Sequence, residues 1–122
     1  MNLNSVIIGT SDVDKLGKFY EQVIGRKSDM HDEGWYGWQF GDINFTIGEH
    51  SEVGGKSKEP QRIIFNFETS DVKEEFERIK NIEGAEIVKE PYTMEGWDGS
   101  LIATFADPDG NYFQLMTPWE SN

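Results

Sequence analysis

The side chains that could carry acid–base or nucleophilic chemistry are few and scattered. The chain has no cysteine and two histidines, His31 and His50, which excludes thiolate nucleophiles, disulfides and cysteine-ligated zinc. Both histidines fall in segments that read as turns or strand ends. There, surface imidazoles are the simpler expectation, with a partner-dependent site as the alternative. Glu68 is the one carboxylate whose spacing sets it among the apolar and amide positions of a strand, so a desolvated Glu68 would be a candidate general base. The competing reading is a solvated charge near a strand end. Four tryptophans remain, Trp35, Trp38, Trp97 and Trp119. They bring broad flat contact area and a polar N–H, suited to stacking on a ligand or a cation and equally to core packing or a subunit interface. Phosphate-cradling loops, nucleophile elbows and basic-aromatic patches do not occur in the sequence.

The elements that must position these groups come from a single domain, expected over residues 1–122 by length. Lys and Arg number 11 against 23 Asp and Glu, for a formal charge of −12. Such a surface repels phosphate backbones, so no nucleic-acid partner is expected, whereas a cationic ligand is favoured. A merely solvated acidic surface explains the same charge. No apolar stretch approaches the ~20 residues needed to span a bilayer, so no membrane partner is expected. Met1-Asn2-Leu3-Asn4 does not read as a secretory signal, and with the lack of cysteine the expected location is cytoplasmic.

An internal repeat organises the chain. Thr10-Ser11-Asp12-Val13 recurs as Thr69-Ser70-Asp71-Val72, Glu33-Gly34-Trp35-Tyr36-Gly37 as Glu95-Gly96-Trp97-Asp98-Gly99, and Phe45-Thr46-Ile47 as Phe113-Gln114-Leu115. The order is the same in both halves, and the offset grows along the chain, so this is a duplication with insertions in the second copy. Module one is read as 1–50, a charged glycine-containing linker as 49–60, and module two as 61–119. Each opens with a strand (3–10, 61–69), followed by a helix capped by Asp12 or Asp71. Leu16, Phe19, Tyr20 and Val23 form one apolar stripe and Val72, Phe76 and Ile79 the other, with Gly25 and Gly84 ending the helices. Three strands follow in each half, at 27–32, 35–40 and 43–48, then 85–90, 100–106 and 111–117. Asp107-Pro108-Asp109-Gly110 is a turn, proline fixing φ and glycine taking the left-handed position.

Asp12, a helix bearing Phe19-Tyr20 and ending in Ile24-Gly25, and the closing run Asp107-Pro108-Asp109-Gly110-Asn111-Tyr112-Phe113-Gln114-Leu115 together resemble the glyoxalase / bleomycin-resistance / extradiol-dioxygenase superfamily, the vicinal oxygen chelate proteins. The resemblance implies an α+β fold: two tandem βαβββ modules forming a cupped, barrel-like mixed sheet, with helices on the convex face and two cups enclosing the site. It also implies a homodimer. In the metal-dependent enzymes of that superfamily, the four ligand positions correspond by motif to Ser5, Thr46, Ile64 and Gln114 here. Isoleucine cannot ligate, and neutral hydroxyl and amide groups offset dehydration of a divalent ion poorly. No metal and no cofactor are therefore expected.

Strand alternation then assigns the cup faces: Ser5, Ile7 and Gly9 in one opening strand, Ile64, Asn66 and Glu68 in the other, and Tyr112, Gln114 and Met116 in the closing strand. Mostly apolar residues with a few polar ones are the usual make-up of a small-molecule pocket. The expected ligand-binding residues are Ser5, Ile7, Trp35, Trp38, Thr46, Ile64, Asn66, Trp97, Gln114 and Met116, with Glu68 as the catalytic candidate. The leading expectation is a metal-free small-molecule-binding protein resembling the bleomycin-resistance branch, holding a flat or cationic ligand. The alternatives are a lyase or dioxygenase-like enzyme with a non-standard or partner-dependent site, and a non-binding interaction domain.

Overall fold

The repeated Thr-Ser-Asp motif is a device for starting helices. In the structure, a computed structural model that describes residues 1–118, Asp12 Oδ1 accepts the backbone N–H of Lys15 at 3.1 Å while Thr10 Oγ1 accepts that of Asp12 at 3.1 Å. Asp71 and Thr69 do the same for Glu74 and Asp71, at 3.0 and 3.2 Å. Each motif thus satisfies N–H groups that a helix start leaves without intrahelical partners. Trp119 lies outside the described residues.

The elements run β1 (Ser5–Thr10), α1 (Val13–Ile24), β2 (Met30–Asp32), β3 (Trp35–Phe40), β4 (Ile43–Glu49), a single 3₁₀ turn (Pro60–Arg62), β5 (Ile64–Glu68), α2 (Val72–Ile79), β6 (Glu86–Tyr92), β7 (Ile102–Ala106) and β8 (Tyr112–Met116). The chain divides into two compact units, Met1–Gly55 and a second beginning at Lys56. Each carries one helix and one four-stranded mixed sheet, in the orders β1-β4-β3-β2 and β5-β8-β7-β6. In each, the opening and closing strands pair in parallel and the remaining neighbours are antiparallel. The two βαβββ modules are therefore present, but neither sheet closes into a barrel. Four short strands fall well below the roughly eight that a side-chain-filled barrel takes. No helix of the described residues is long and apolar enough to cross a membrane.

Of the boundaries that differ from the sequence reading, two have a plain cause in side-chain bonds. Helix α2 ends at Ile79 rather than at Gly84, because Asn81 Nδ2 donates to Glu77 O at 2.9 Å, occupying the carbonyl that the backbone N–H of residue 81 would take in a continuing helix. Gly84 instead holds a φ of 96° in the following turn. Strand β2 is three residues long rather than 27–32 because side chains replace its ladder: Asp29 Oδ2 accepts the N–H of Gln39 at 2.7 Å, and an Arg26 Nη2–H donates to the Gln39 carbonyl at 2.9 Å. Gly25 ends α1 as expected, in the left-handed region with φ 84°.

The core of each unit lies between its helix and one face of its sheet. In the first, Leu16, Phe19, Tyr20 and Val23 of α1 are buried with Ile8, Tyr36, Trp38, Phe45 and Ile47. Their rings meet edge to face, Tyr20 and Phe45 with centroids 5.2 Å apart, a geometry worth about 0.5–1.5 kcal/mol beyond area burial. In the second, Val72, Phe76 and Ile79 are buried with Ala103, Phe105, Phe113 and Leu115, and Phe105 stacks on Phe113 at 5.5 Å. The opposite face of each sheet carries the expected site residues other than Trp38 and Trp97.

Candidate functional site

Strand pairing fixes which side chains share the helix-free face. In the first unit Ile7 pairs with Thr46 and Thr46 with Gly37, giving one row across three strands; Gly9, Gly48 and Trp35 form the next. Three of these six positions are glycine, and neighbouring side chains take the room their β-carbons would fill. A β-carbon at Gly37 would stand 3.2 Å from Trp35 Cζ3 and 3.7 Å from Met30 Cε. The Trp35 indole thus lies over Gly37, within reach of Met30, and the missing side chain is what allows it. Ile7 is 69% exposed on this face. Ser5 is exposed and its hydroxyl donates to Asn4 Oδ1 at 3.0 Å.

Pairing also shows how the two halves correspond. Ile7 and Thr46 are matched in the second unit by Asn66 and Gln114, and Gly37 by Thr104. The row that holds Ile7, Thr46 and Gly37 in the first unit is polar throughout in the second. Gln114 Nε2 donates to Thr104 Oγ1 at 3.1 Å, which orients the amide. Ile64, Tyr112 and Met116 flank this row, half-buried, while Asn66 and Glu68 are exposed. Two register shifts in β6 bring Lys89 opposite Thr104 and Tyr92 opposite Ile102, on the same face, with the Lys89 ammonium 4.6 Å from the Tyr92 ring centroid.

Two tryptophans are placed differently from the sequence reading. Trp38 is fully buried on the helix side, opposite Phe45, with its indole N–H donating to Arg26 O at 3.2 Å. It stands three residues from Trp35, an odd spacing that puts it on the other face of the strand. Trp97 is not the counterpart of Trp35. Pairing equates Trp38 with Phe105 and hence Trp35 with Ile102, and Trp97 sits in the turn before β7, where its carbonyl accepts the Ser100 hydroxyl at 2.6 Å. The Glu-Gly-Trp match is a likeness of two turns rather than of two strands.

Two further residues complete the first face: Asn44, which sequence reasoning passed over, and His50, which it read as a surface imidazole. Asn44 lies on β4 two positions before Thr46, and its Oδ1 is buried without a hydrogen-bond partner among the described residues. Such an orphaned acceptor costs about 1–3 kcal/mol. Strand parity alone would have placed Asn44 here. His50 follows the end of β4 and folds back over Gly9, where a β-carbon would meet His50 Cβ at 3.3 Å and Val53 Cγ2 at 3.4 Å. A shallow depression beside it is lined by Ser11, Glu49, His50, Ser51 and Val53. The other histidine, His31, is exposed. It donates through Nδ1 to Trp35 O at 3.1 Å and its ring lies 4.1 Å from that of Tyr36, packing on the helix side.

The four positions that correspond to metal ligands do not fit a metal ion. Ser5 and Thr46 share one helix-free face and Ile64 and Gln114 the other, but Ile64 has no donor atom and the other three are neutral. No group of three or more His, Asp or Glu among the described residues is arranged to hold an ion.

Comparisons with known proteins agree with this fold. The chain is similar to a glyoxalase/bleomycin resistance protein/dioxygenase family enzyme from Burkholderia phytofirmans, with 22% identity, 96% of this chain and 98% of that one covered, and a TM-score of 0.77. A glyoxalase/bleomycin resistance protein from Albidiferax ferrireducens is 17% identical, with 96% and 98% covered and a TM-score of 0.76. The fosfomycin resistance protein FosX from Mesorhizobium loti is 18% identical, with 97% and 92% covered and a TM-score of 0.71. No curated protein sequence matches significantly. The model of the glyoxalase-like domain family matches residues 5–116, and to that family this chain belongs.

Proposed function

We propose that the protein binds a small, flat molecule, cationic or neutral, on the helix-free faces of its sheets without the help of a metal, in the manner implied by its resemblance to the bleomycin-resistance branch. The observation that carries this reading is the Trp35 indole lying over Gly37 on the first face, with exposed Ile7 on the same face. A planar ligand laid on such a surface gains roughly 25 cal/mol for each Å² of apolar area removed from water. A ligand on the corresponding face of the second unit, taken by itself, has its polar groups oriented by Asn66 and Gln114, with Ile64 and Met116 as apolar neighbours and Trp97 at the edge. The net charge of −12 favours cations over anions. Glu68, exposed at the end of β5, has no catalytic part in this reading. A cytoplasmic homodimer belongs to the proposal, and light scattering across micromolar concentrations checks the dimer.

Titration with planar aromatic cations such as N-methylquinolinium, followed by tryptophan fluorescence, tests the reading. Saturable quenching is expected, weakened about tenfold for a polar ligand by Gln114→Leu, since an unpaired buried polar group costs about 1–3 kcal/mol. Absence of saturable binding across such a panel would move the non-binding interaction domain to first place.

A further inference from the structure

Beside the first helix-free face stands His50, which no part of the binding reading uses. Its place is fixed from several directions. The His50 backbone N–H donates to Thr10 O at 3.0 Å and its carbonyl accepts the Val53 N–H at 3.2 Å. Its side chain lies over Gly9, where the absence of a β-carbon leaves the room it occupies. The backbone N–H of Glu52 donates to Nδ1 at 3.2 Å. A nitrogen that accepts cannot carry the proton, so the neutral ring carries it on Nε2. The ring lines the depression with Ser11, Glu49, Ser51 and Val53. Through Gly9 it adjoins the row of Gly9, Gly48 and Trp35.

We infer that His50 is a polar anchor of this face, donating its Nε2–H to an oxygen of the bound molecule, and that the ligand is a planar apolar compound bearing a carbonyl group. The class follows from the chemistry on either side. A fixed N–H donor calls for an acceptor, and the Trp35 indole lying over Gly37, with exposed Ile7 on the same face, calls for a planar apolar body. Glu49 in the same depression and the acidic surface disfavour a carboxylate or phosphate as that acceptor, which favours a neutral one, and a carbonyl oxygen is a strong neutral acceptor. Ser11 and Ser51 supply hydroxyls at the rim for any further polar atom. This inference rests on the reading of the face as a binding surface.

Acetophenone and ethylbenzene, of similar size and differing in the carbonyl, are the probes, followed by NMR at pH 8 through the indole N–H of Trp35 and the imidazole nitrogens of His50. Acetophenone should bind about five- to tenfold more tightly than ethylbenzene, the worth of one net hydrogen bond, and it alone should shift His50 Nε2. His50→Phe, which keeps a flat ring and removes the donor, should erase the preference while ethylbenzene binding remains. His50→Gln, which restores an N–H, should recover part of it. Binding of both probes with an unchanged preference in His50→Phe, or no shift of His50 Nε2 in the wild-type protein, would overturn the role of His50 and leave the binding surface intact. Failure of both probes to perturb Trp35 would overturn the binding surface and the anchor together.

Discussion

The ring of Tyr36 packs onto the backbone of α1 at Gly17, where a β-carbon would stand 2.5 Å from Cε1 and 2.6 Å from Cγ. The helix is seated on its sheet through that contact, and the phenol reaches past it to donate to Asp14 Oδ1 at 3.1 Å. Gly17 is a mid-helix glycine on the buried side, between Leu16 and Phe19.

Gly17→Ala should therefore destabilise the protein, although alanine is the better helix former. The propensity gain is about 1 kcal/mol, and overpacking of a filled core costs about 1–3 kcal/mol. Because the obstacle is a ring wedged by its neighbours rather than a flexible tail, the overpacking cost falls in the upper part of that range and wins, with a net loss of about 1–2 kcal/mol. Urea unfolding measures it. Unchanged or raised stability would show that Tyr36 does not lie where it is described.

Tyr36 itself should ionise late. Desolvation and its bond to Asp14 push its phenol up from 10.0 to about 12. The raised value means that the stabilising contribution is whole below pH 10 and is lost as pH rises from there toward 12. An ultraviolet titration should contain a component near pH 12 that is missing in Tyr36→Phe.

At the acid end, Asp29 should titrate below its ordinary 3.8, held down first by the Gln39 N–H and then by Arg26. A depressed carboxylate stabilises above its unfolded value, and the contribution disappears as pH falls through the folded one. Both partners are well exposed, so the effect is modest. Carbon-detected NMR of the Asp29 carboxyl checks the direction, and Asp29→Asn should flatten the stability profile below pH 4.

Asn44 offers a trade between stability and binding. Replacing an orphaned buried acceptor by an apolar group of similar size is neutral or favourable, so Asn44→Leu should raise the unfolding midpoint. If ligand or water donates to Oδ1 when the face is occupied, the same change should lower affinity for donor-bearing ligands. Thermal unfolding and a binding titration of one variant read both effects. A lowered midpoint would mean that Oδ1 already has a partner.

Much of the fold could be read from local rules. The Asp12 and Asp71 caps and the apolar stripes of both helices depend on short-range spacing, and the structure has them as the sequence implies. The errors arose where individual side-chain bonds or strand pairing decide. Helix α2 stops early because of the Asn81 side chain, and β2 is trimmed by the Arg26–Asp29 bridge to Gln39. Trp97 matched Trp35 in its neighbours along the chain, whereas strand pairing, which the sequence does not display, makes Ile102 the counterpart. Gly17, His50 and Gly9 gain their meaning only from what lies against them.

Binding at the first helix-free face is tested most directly by the indole N–H resonances of Trp35 and Trp38 in one spectrum during titration with a planar aromatic ligand. Trp35 lies over Gly37 on the helix-free face, and Trp38 is sealed in the core with its N–H bonded to Arg26. The Trp35 resonance should move saturably while that of Trp38 stays in place. A ligand that binds the protein and leaves Trp35 unmoved would contradict binding at this face.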